Sequence, residues 1–407
     1  MKYIVILGDG MADWPIESLG NRTPLEAAHK PNIDNLSKKS VLGMVRTVPH
    51  NMPAGSDVAN LSVFGFNPEI YYTGRSPLEA ISMGIKLSDD DTALRCNLVT
   101  LSDDKDYEIK RMLDYSAGEI TSEEAAILIK DIARVLNTEE ISFYPGVSYR
   151  HCMIWNKGPL DISLTPPHDI SGRTITDHLP RGPKSEVALE LMKKSAEILK
   201  NHPVNLDRIS RGLNPANSIW LWGQGKKPAI PLFIEKYGLC GSVVSAVDLV
   251  KGIGIAAGMK AVRVEGATGN IHTNFKGKAE AALQELRNGK DFVYIHIEAP
   301  DECGHQGLVE EKIRSIELID EKVLGTLLDG LEGLDDYRIM ILPDHPTPIS
   351  IRTHCKDPVP FMIYDSRNSD IINNDAIYTE NYCQQTGYFI EKGYTLMDKF
   401  LQLEQEK

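Results

Sequence analysis

The sequence predicts an α/β protein: a doubly wound, mostly parallel sheet carrying a smaller inserted α+β domain. Three observations carry that expectation. Short β-branched runs alternate with helical stretches from Ile219 onward, the pattern of strand–helix–strand units. At 407 residues the chain exceeds one ordinary hydrophobic core. Its character also changes at the acidic break Ser88–Thr92 and changes back at Asn214-Pro-Ala-Asn217, as an insertion with a return linker would. Residues 1–87 with 216–407 are therefore expected to form one discontinuous domain, and 88–215 the inserted one.

Tyr3 to Leu7 is a short strand, followed at once by Gly8-Asp9-Gly10. Asp-Gly is common turn chemistry. The same position sets a carboxylate at the carboxyl end of a strand, where open α/β sheets receive ligands. Pro24 to Ser40 reads as one helix packed on the sheet. In Gly55-Ser56-Asp57 the serine opens a helix whose buried face is Val58, Ala59, Leu61 and Phe64. Ser56 is either an N-cap or a nucleophile whose phosphoryl partner would meet the helix dipole and free N–H groups. Ser76-Pro77 starts another helix.

From Thr92 to Pro215 short strands and helices continue with different polar content. Arg150-His151 follows the strand-like run Ile141–Tyr149, His168-Asp169 lies in a proline-stiffened turn, and Arg211 stands among other scattered cations. Arg binds carboxylate and phosphate bidentately, so this lobe suits a small anion, although most of its charges are ordinary surface.

Beyond the linker, Ile219–Trp222 is a strand, Pro231–Tyr237 a helix, Cys240–Ala246 a strand, and Val247–Met259 a helix bearing Lys251. Phe292–Ile297 is a buried strand, with Asp301 and His305 four residues apart on a turn containing Gly304. Glu310–Leu328 is an amphipathic helix. Asp336–Leu342 is a strand ending in Pro343-Asp344-His345-Pro346, and His354 precedes the strand Val359–Tyr364. Thr395–Gln402 is the closing helix.

Composition excludes several functions. A net charge of −13 argues against a nucleic-acid surface, and any anionic substrate must then be met by local cations. No apolar run reaches membrane-spanning length, and Tyr3–Leu7 is too short for a signal-peptide core. Six cysteines without a C-x-x-C pair give no disulfide framework and fit a reducing cytoplasm. Cys303 and Cys355 adjoin suspected ligands but read as small buried fillers among harder donors. No G-x-x-x-x-G-K-[ST] loop is present, which argues against an ordinary nucleotide kinase. The oligomeric state is left open by the sequence.

Asp9, Asp301, His305, Asp344, His345 and His354 all stand in loops after core strands or next to them. Three carboxylates and three imidazoles exceed the needs of one metal and suit two divalent ions, roughly 3.5–4 Å apart in such enzymes. Ser56 adds a hydroxyl that such ions would activate for phosphoryl transfer. Oxygen and nitrogen donors admit manganese, magnesium, zinc or cobalt, and the imidazoles make magnesium the weaker choice for both positions.

On these residues the chain resembles the alkaline phosphatase superfamily. The motifs are Asp9 after the first strand, Ala54-Gly-Ser-Asp-Val-Ala-Asn60, Pro300-Asp301-x-x-Gly304-His305, Pro343-Asp344-His345 and His354. Within that superfamily the chain is similar, over essentially its whole length, to the archaeal-type cofactor-independent phosphoglycerate mutases. The resemblance implies an alkaline-phosphatase-like catalytic domain and a substrate-binding role for 88–215. It implies Asp301, His305 and His354 on one manganese-like ion, and Asp9, Ser56, Asp344 and His345 on the other. It further implies interconversion of 3- and 2-phosphoglycerate, a glycolytic and gluconeogenic step, through phosphoserine at Ser56 and without 2,3-bisphosphoglycerate. Lys251 would steady the phosphoryl group, and Arg150, His151, His168, Asp169 and Arg211 would bind substrate. One departure is Trp222, where the family often carries arginine. The tryptophan-bearing branch is associated with homoserine phosphorylation, so a phosphotransferase acting on homoserine, or a phosphomonoesterase, is the alternative.

Overall fold

The computed structural model describes residues 1–333, 336–368 and 372–402. It divides into two compact units, Met1–Tyr72 with Ala229–Lys407, and Thr73–Pro228. In chain order the strands are β1 (Lys2–Gly8), β2 (Ser40–Val45), β3 (Asp91–Leu101), β4 (Met112–Asp114), β5 (Ile141–Val147), β6 (Arg150–Asn156), β7 (Ser218–Lys226), β8 (Gly241–Val244), β9 (Lys260–Val262), β10 (Phe292–Ile297), β11 (Tyr337–Leu342), β12 (Val359–Asp365) and β13 (Phe389–Ile390).

The first unit is built on an eight-stranded sheet in the order β13-β2-β12-β11-β1-β10-β8-β9. Only β12 runs against its neighbours; every other pairing is parallel. β1 lies at the centre, with Leu7 opposite His296 of β10 and Leu342 of β11. These three strands are near-continuous apolar runs because helices cover both faces of a parallel sheet. Side chains alternate between the faces. On one face Ile4, Ile6, Val293, Ile295, Ile339 and Ile341 join a core with helix Phe275–Arg287 and the helical stretch after Val309. Each such aliphatic side chain, buried completely, contributes about 1.5–3 kcal/mol.

Several local expectations change. Pro24–Ser40 is two short helices, Pro24–Ala27 and Pro31–Ser37, followed by β2. Pro31 has no N–H to donate, and its ring would clash with the Ala27 carbonyl if the helix continued. The stretch read as Glu310–Leu328 is helix Val309–Leu318, a π-helical segment Ile319–Leu324, and helix Gly325–Leu331. Within that segment Asp320 accepts N–H bonds from Asn32 (3.3 Å) and Ile33 (2.7 Å), doing for helix Pro31–Ser37 what its Lys30 cap side chain does not. Asp301 and His305 lie on helix Ala299–Gln306 rather than on a turn. Pro300 is tolerated in its first turn and Gly307 ends it in the left-handed region.

The second unit is an antiparallel sheet in which β3 pairs with β4, β6 and β7, and β6 with β5. Helices Ser122–Leu136 and Ser185–Leu199 bury Leu128, Ile132, Leu191 and Met192 in its core. The unit is wider than 88–215 at both ends. β7 lies along β3 from Thr92 to Val99, and helix Arg75–Ser82 is pinned by Glu79, which receives two 2.7 Å bonds from Arg95. The acidic break Ser88–Asp91 is thus a turn leading into β3, where Ser88 N–H bonds the Asp91 carboxylate.

A buried ion pair ties the chain after β1 to the chain after β11. Lys312, fully buried, donates to Asp13 (2.7 Å) and to the carbonyls of Thr347 (2.9 Å) and Ala12 (3.3 Å), and Asp13 accepts the Ile349 N–H at 3.2 Å. Lys312→Met strands the Asp13 charge and should lower stability by about 3–5 kcal/mol, read as a shift in the urea midpoint. Beside it Glu380 accepts from the Asp13 N–H and the Thr23 hydroxyl, and burial pushes its carboxyl up to about 7. The folded chain therefore holds this proton more tightly than the unfolded chain, so stability should fall as pH rises from about 4.5 to about 7. Glu380→Gln should flatten that part of the stability–pH curve.

Candidate metal centre

The parallel register of β10, β1 and β11 brings their carboxyl ends to one edge of the sheet, and four of the seven metal-site candidates leave from there. Asp9 follows β1 directly, Asp344 and His345 come two and three residues after Leu342, and Asp301 rides on the helix after β10. His305, four residues on, faces the same way as Asp301 because that spacing is one helical turn. His354 enters from the segment before β12. Asp9, Asp344 and His345 are at most 2% exposed and Asp301 is 6% exposed.

The side chains converge in three overlapping sets whose ligand atoms lie within 4.8 Å of one another: Asp301, His305 and His354; Asp9, Asp301 and His345; and Asp9, His296 and Asp344. His305 Nε2 is 3.3 Å from Asp301 Oδ2, and His354 Nε2 is 3.5 Å from Asp301 Oδ1. His345 Nε2 is 3.5 Å from both Asp9 Oδ1 and Asp344 Oδ2. The backbone has to come close to allow this. A Cβ on Gly10, which has φ +61°, would stand 2.7 Å from Asp301 Oδ1, and one on Gly304 would stand 2.6 Å from the Thr347 carbonyl.

These residues fit divalent cations on two counts. Asp9 Oδ1 is buried without a hydrogen-bond partner, an unfavourable state for a carboxylate oxygen unless a cation takes it. His305 Nδ1 lies 3.0 Å from the Arg352 carbonyl, which only accepts, so Nδ1 carries a hydrogen; without a metal Nε2 carries one too, because the hydrogen bond to Asp301 pushes the imidazole up to about 9, and a metal would take that proton's place. That nitrogen points at His354 Nε2, 2.9 Å away, and the pair needs a proton or a metal between them. Burial, then the Asp344 and Asp301 carboxylates, push Asp9 well above the usual carboxylate range. Burial acts the same way on Asp301, but its hydrogen bonds to His305 and His354 outweigh it and hold that carboxyl well below. A divalent ion at the centre would reverse the sign for Asp9.

Ser56 is the first residue of helix Ser56–Val63 and not its cap, a position held by Gly55. Ser56 Oγ lies 3.2 Å from His345 Nε2, which brings the hydroxyl to the cluster. Asp57 bonds the next N–H and accepts from Tyr72 at 2.6 Å. Lys251 sits on helix Asp248–Ala256, which packs against the Ser56 helix, and its ammonium is 2.7 Å from Asp248.

The second unit treats its candidates unequally. The rings of Tyr149, Tyr115, His168 and Trp222 form a chain of edge contacts, with Arg150 over Tyr149 at 5.5 Å and Arg95 over Trp222 at 4.6 Å. Arg150 opens β6 across a tight hairpin from β5, so it does not end the strand before it. His151 is buried behind it: Nδ1 accepts the Gly146 N–H, Nε2 has no hydrogen-bond partner, and burial pushes the imidazole down to about 3. Asp169 is exposed, 3.6 Å from His168. Arg211 is engaged by Glu124 and Asp207 and is not brought to the aromatic chain.

A family model for 2,3-bisphosphoglycerate-independent phosphoglycerate mutase matches residues 37–205. The enzyme of that name from Methanothrix thermoacetophila is 51% identical over 398 residues, 98% of each chain. The chain belongs to the 2,3-bisphosphoglycerate-independent phosphoglycerate mutase family. Among solved structures, a Pyrococcus horikoshii protein superimposes with a TM-score of 0.82 at 30% identity, covering 100% of this chain and 98% of its own. A cofactor-independent phosphoglycerate mutase from Thermoplasma acidophilum gives 0.66 at 28% identity, covering 99% and 100%.

Three side chains of this phosphoglycerate mutase family member were not candidates from sequence. Asn60 donates to Asp344 Oδ2 (2.8 Å) and accepts from Tyr294 (2.7 Å). The Thr347 hydroxyl donates to Asp301 Oδ1, and His296 Nε2 lies 3.0 Å from Asp9 Oδ2. Asn60 had a signal, being one helical turn from Ser56; His296 had one as an imidazole inside a buried strand. Cys303 is a buried filler as expected, whereas Cys355 is partly exposed with Sγ 3.5 Å from Asp357. Metal-stripped protein titrated with Mn2+ and followed calorimetrically should bind two ions per chain, and His305→Ala should retain only one.

Proposed function

We propose that the protein interconverts 3-phosphoglycerate and 2-phosphoglycerate by carrying the phosphoryl group through Ser56. The observation that supports this above all is the Ser56 hydroxyl, 3.2 Å from His345 Nε2 at the start of a helix. Asp301, His305 and His354 would hold one divalent ion, and Asp9, Ser56, Asp344 and His345 a second. Such ions supply a lowered hydroxyl pKa and a clamp on phosphoryl oxygens. Manganese suits this donor set, with zinc, cobalt or magnesium as substitutes. No 2,3-bisphosphoglycerate takes part, because Ser56 is itself the phosphoryl carrier.

Ser56 Oγ attacks phosphorus as the ester bond to glycerate breaks, and the positive end of its helix faces the incoming anion. Lys251 steadies the transferred group. The glycerate then presents its other hydroxyl, which displaces Ser56; nothing is added or lost, so the reaction is an isomerisation. Arg150 and His168 are the second unit's best candidates for the glycerate carboxylate, with His151, Asp169 and Arg211 behind them. Among the described residues no helix is long and apolar enough to cross a membrane. We place the enzyme in the cytoplasm, where six free cysteines stay reduced.

The deciding experiment is phosphorus NMR of manganese-loaded protein with 3-phosphoglycerate and no nucleotide. The 2-phosphoglycerate resonance should appear, and Ser56→Ala should slow its appearance by roughly ten-thousand-fold or more while the fold is kept. Inorganic phosphate alone would make the protein a phosphomonoesterase. An unchanged spectrum would overturn the mutase and send the search to homoserine with a phosphoryl donor.

A further inference from the structure

We propose that His296 is a positioning residue that holds the Asp9 carboxylate in the one orientation that presents Oδ1 to the metal centre. This rests on the two-metal reading above.

Asp9 sits on a short loop and could swing its carboxylate about its last bond, exchanging the two oxygens. The structure shows them in different states. Oδ2 is 3.0 Å from His296 Nε2, whereas Oδ1 has no hydrogen-bond partner and faces His345. A metal-ligating Asp9 is ionised and only accepts, so in that state His296 Nε2 carries the hydrogen, whether the ring is neutral or charged. The ring is fixed from its other side as well. Nδ1 lies 3.3 Å from Ser245 Oγ, and that oxygen accepts the Val247 N–H at 3.0 Å, with the Val247 carbonyl a longer 3.5 Å away. Val247 caps helix Asp248–Ala256, which bears Lys251. One line of hydrogen bonds therefore runs from the start of the Lys251 helix through Ser245 and His296 to Asp9.

His296 is a poor fit to any purely structural purpose. It occupies β10, the central run Phe292–Ile297, where its own register partner is Leu7 and every neighbour in the strand is buried. An apolar residue there would pack without bringing polar atoms into the core, and the ring is fully buried. Burying a polar ring in that position is costly unless its hydrogen bonds are made, and here one is made to the metal-site carboxylate of Asp9 and the other to Ser245. Lys278 adds to the hold on this strand end through a 3.1 Å bond to the His296 carbonyl. Groups that orient a metal ligand in this way typically tune metal affinity by 10–100-fold when removed.

Three proteins would be compared by Mn2+ titration calorimetry, with circular dichroism to check folding: the wild type, His296→Ala and His296→Gln. The glutamine amide can place an N–H near the position of Nε2. The expected result is two ions in all three, with one of the two binding events in His296→Ala losing roughly 10–100-fold in affinity and the other unchanged. His296→Gln should recover most of the loss. Equal affinities at both sites in wild type and His296→Ala would overturn the proposal. A His296→Gln protein as impaired as His296→Ala would also overturn it, because it would make the imidazole a direct ligand. Uniform weakening at both sites with a lower melting temperature would reduce His296 to a packing role and overturn it too. A wild type that binds fewer than two ions would instead defeat the metal reading on which this rests.

Discussion

Asp9, Asp301 and Asp344 crowd together where water is excluded, and the arrangement around them answers to their mutual repulsion. At 4 Å two unit charges repel by about 4 kcal/mol even at an effective dielectric of 20. The fold does not remove the repulsion by neutralising each carboxylate with its own cation. Each is held in place by directional bonds: Asp344 by Asn60 and the Gly10 and His345 N–H groups, Asp301 by the Thr347 hydroxyl, and Asp9 by His296. Lys312 and Asp13 bind the two loops behind the site, so the chain segments that carry the charges cannot separate to relieve them. Divalent ions bound there would supply the missing positive charge.

The parallel sheet makes this arrangement possible at low cost. Because β1, β10 and β11 are adjacent and run the same way, Asp9 and the pair Asp301 and Asp344, about 290 or more positions downstream, leave the sheet within one loop of each other. That part was legible from sequence, since β-branched runs identify buried parallel strands and the residue just past each is marked out by its charge. What could not be read was which side chains inside those runs serve the site. His296 differs from its neighbours only by its ring, and nothing in a one-dimensional pattern says whether a lone polar residue in a strand faces a carboxylate or a backbone group. Lys312 was invisible for the same reason, a cation on an amphipathic helix that turns out to lie wholly inside.

Local backbone reading failed where two signals conflicted. Pro300 and Gly304 both suggested a turn after β10, yet proline is acceptable in a first helical turn, and Gly304 is required by the nearby Thr347 carbonyl rather than by helix termination. The helix matters to the chemistry, since it puts Asp301 and His305 on one face. The break at Ser88 was equally real as chemistry but was a strand-leading turn, so the composition change marked the approach to the second unit and not its edge. That unit begins at Thr73, where a helix is tied down by the Arg95–Glu79 pair, a contact between residues 16 apart that no composition window detects.

The same crowding that suits the site to metal also couples metal to folding. Without ions, Asp9 keeps an oxygen that burial and two neighbouring carboxylates press toward protonation, and His305 and His354 point nitrogen at nitrogen. Every ion bound to the folded chain relieves these unfavourable contacts, while an unfolded chain leaves the same side chains solvated and apart. Ion binding must therefore add to stability by mass action, in proportion to how well the site is already assembled. The residues that assemble it most firmly, Lys312, Asn60, Thr347 and His296, need touch no substrate to matter. They hold the ion-free protein in the unfavourable geometry that binding then rewards.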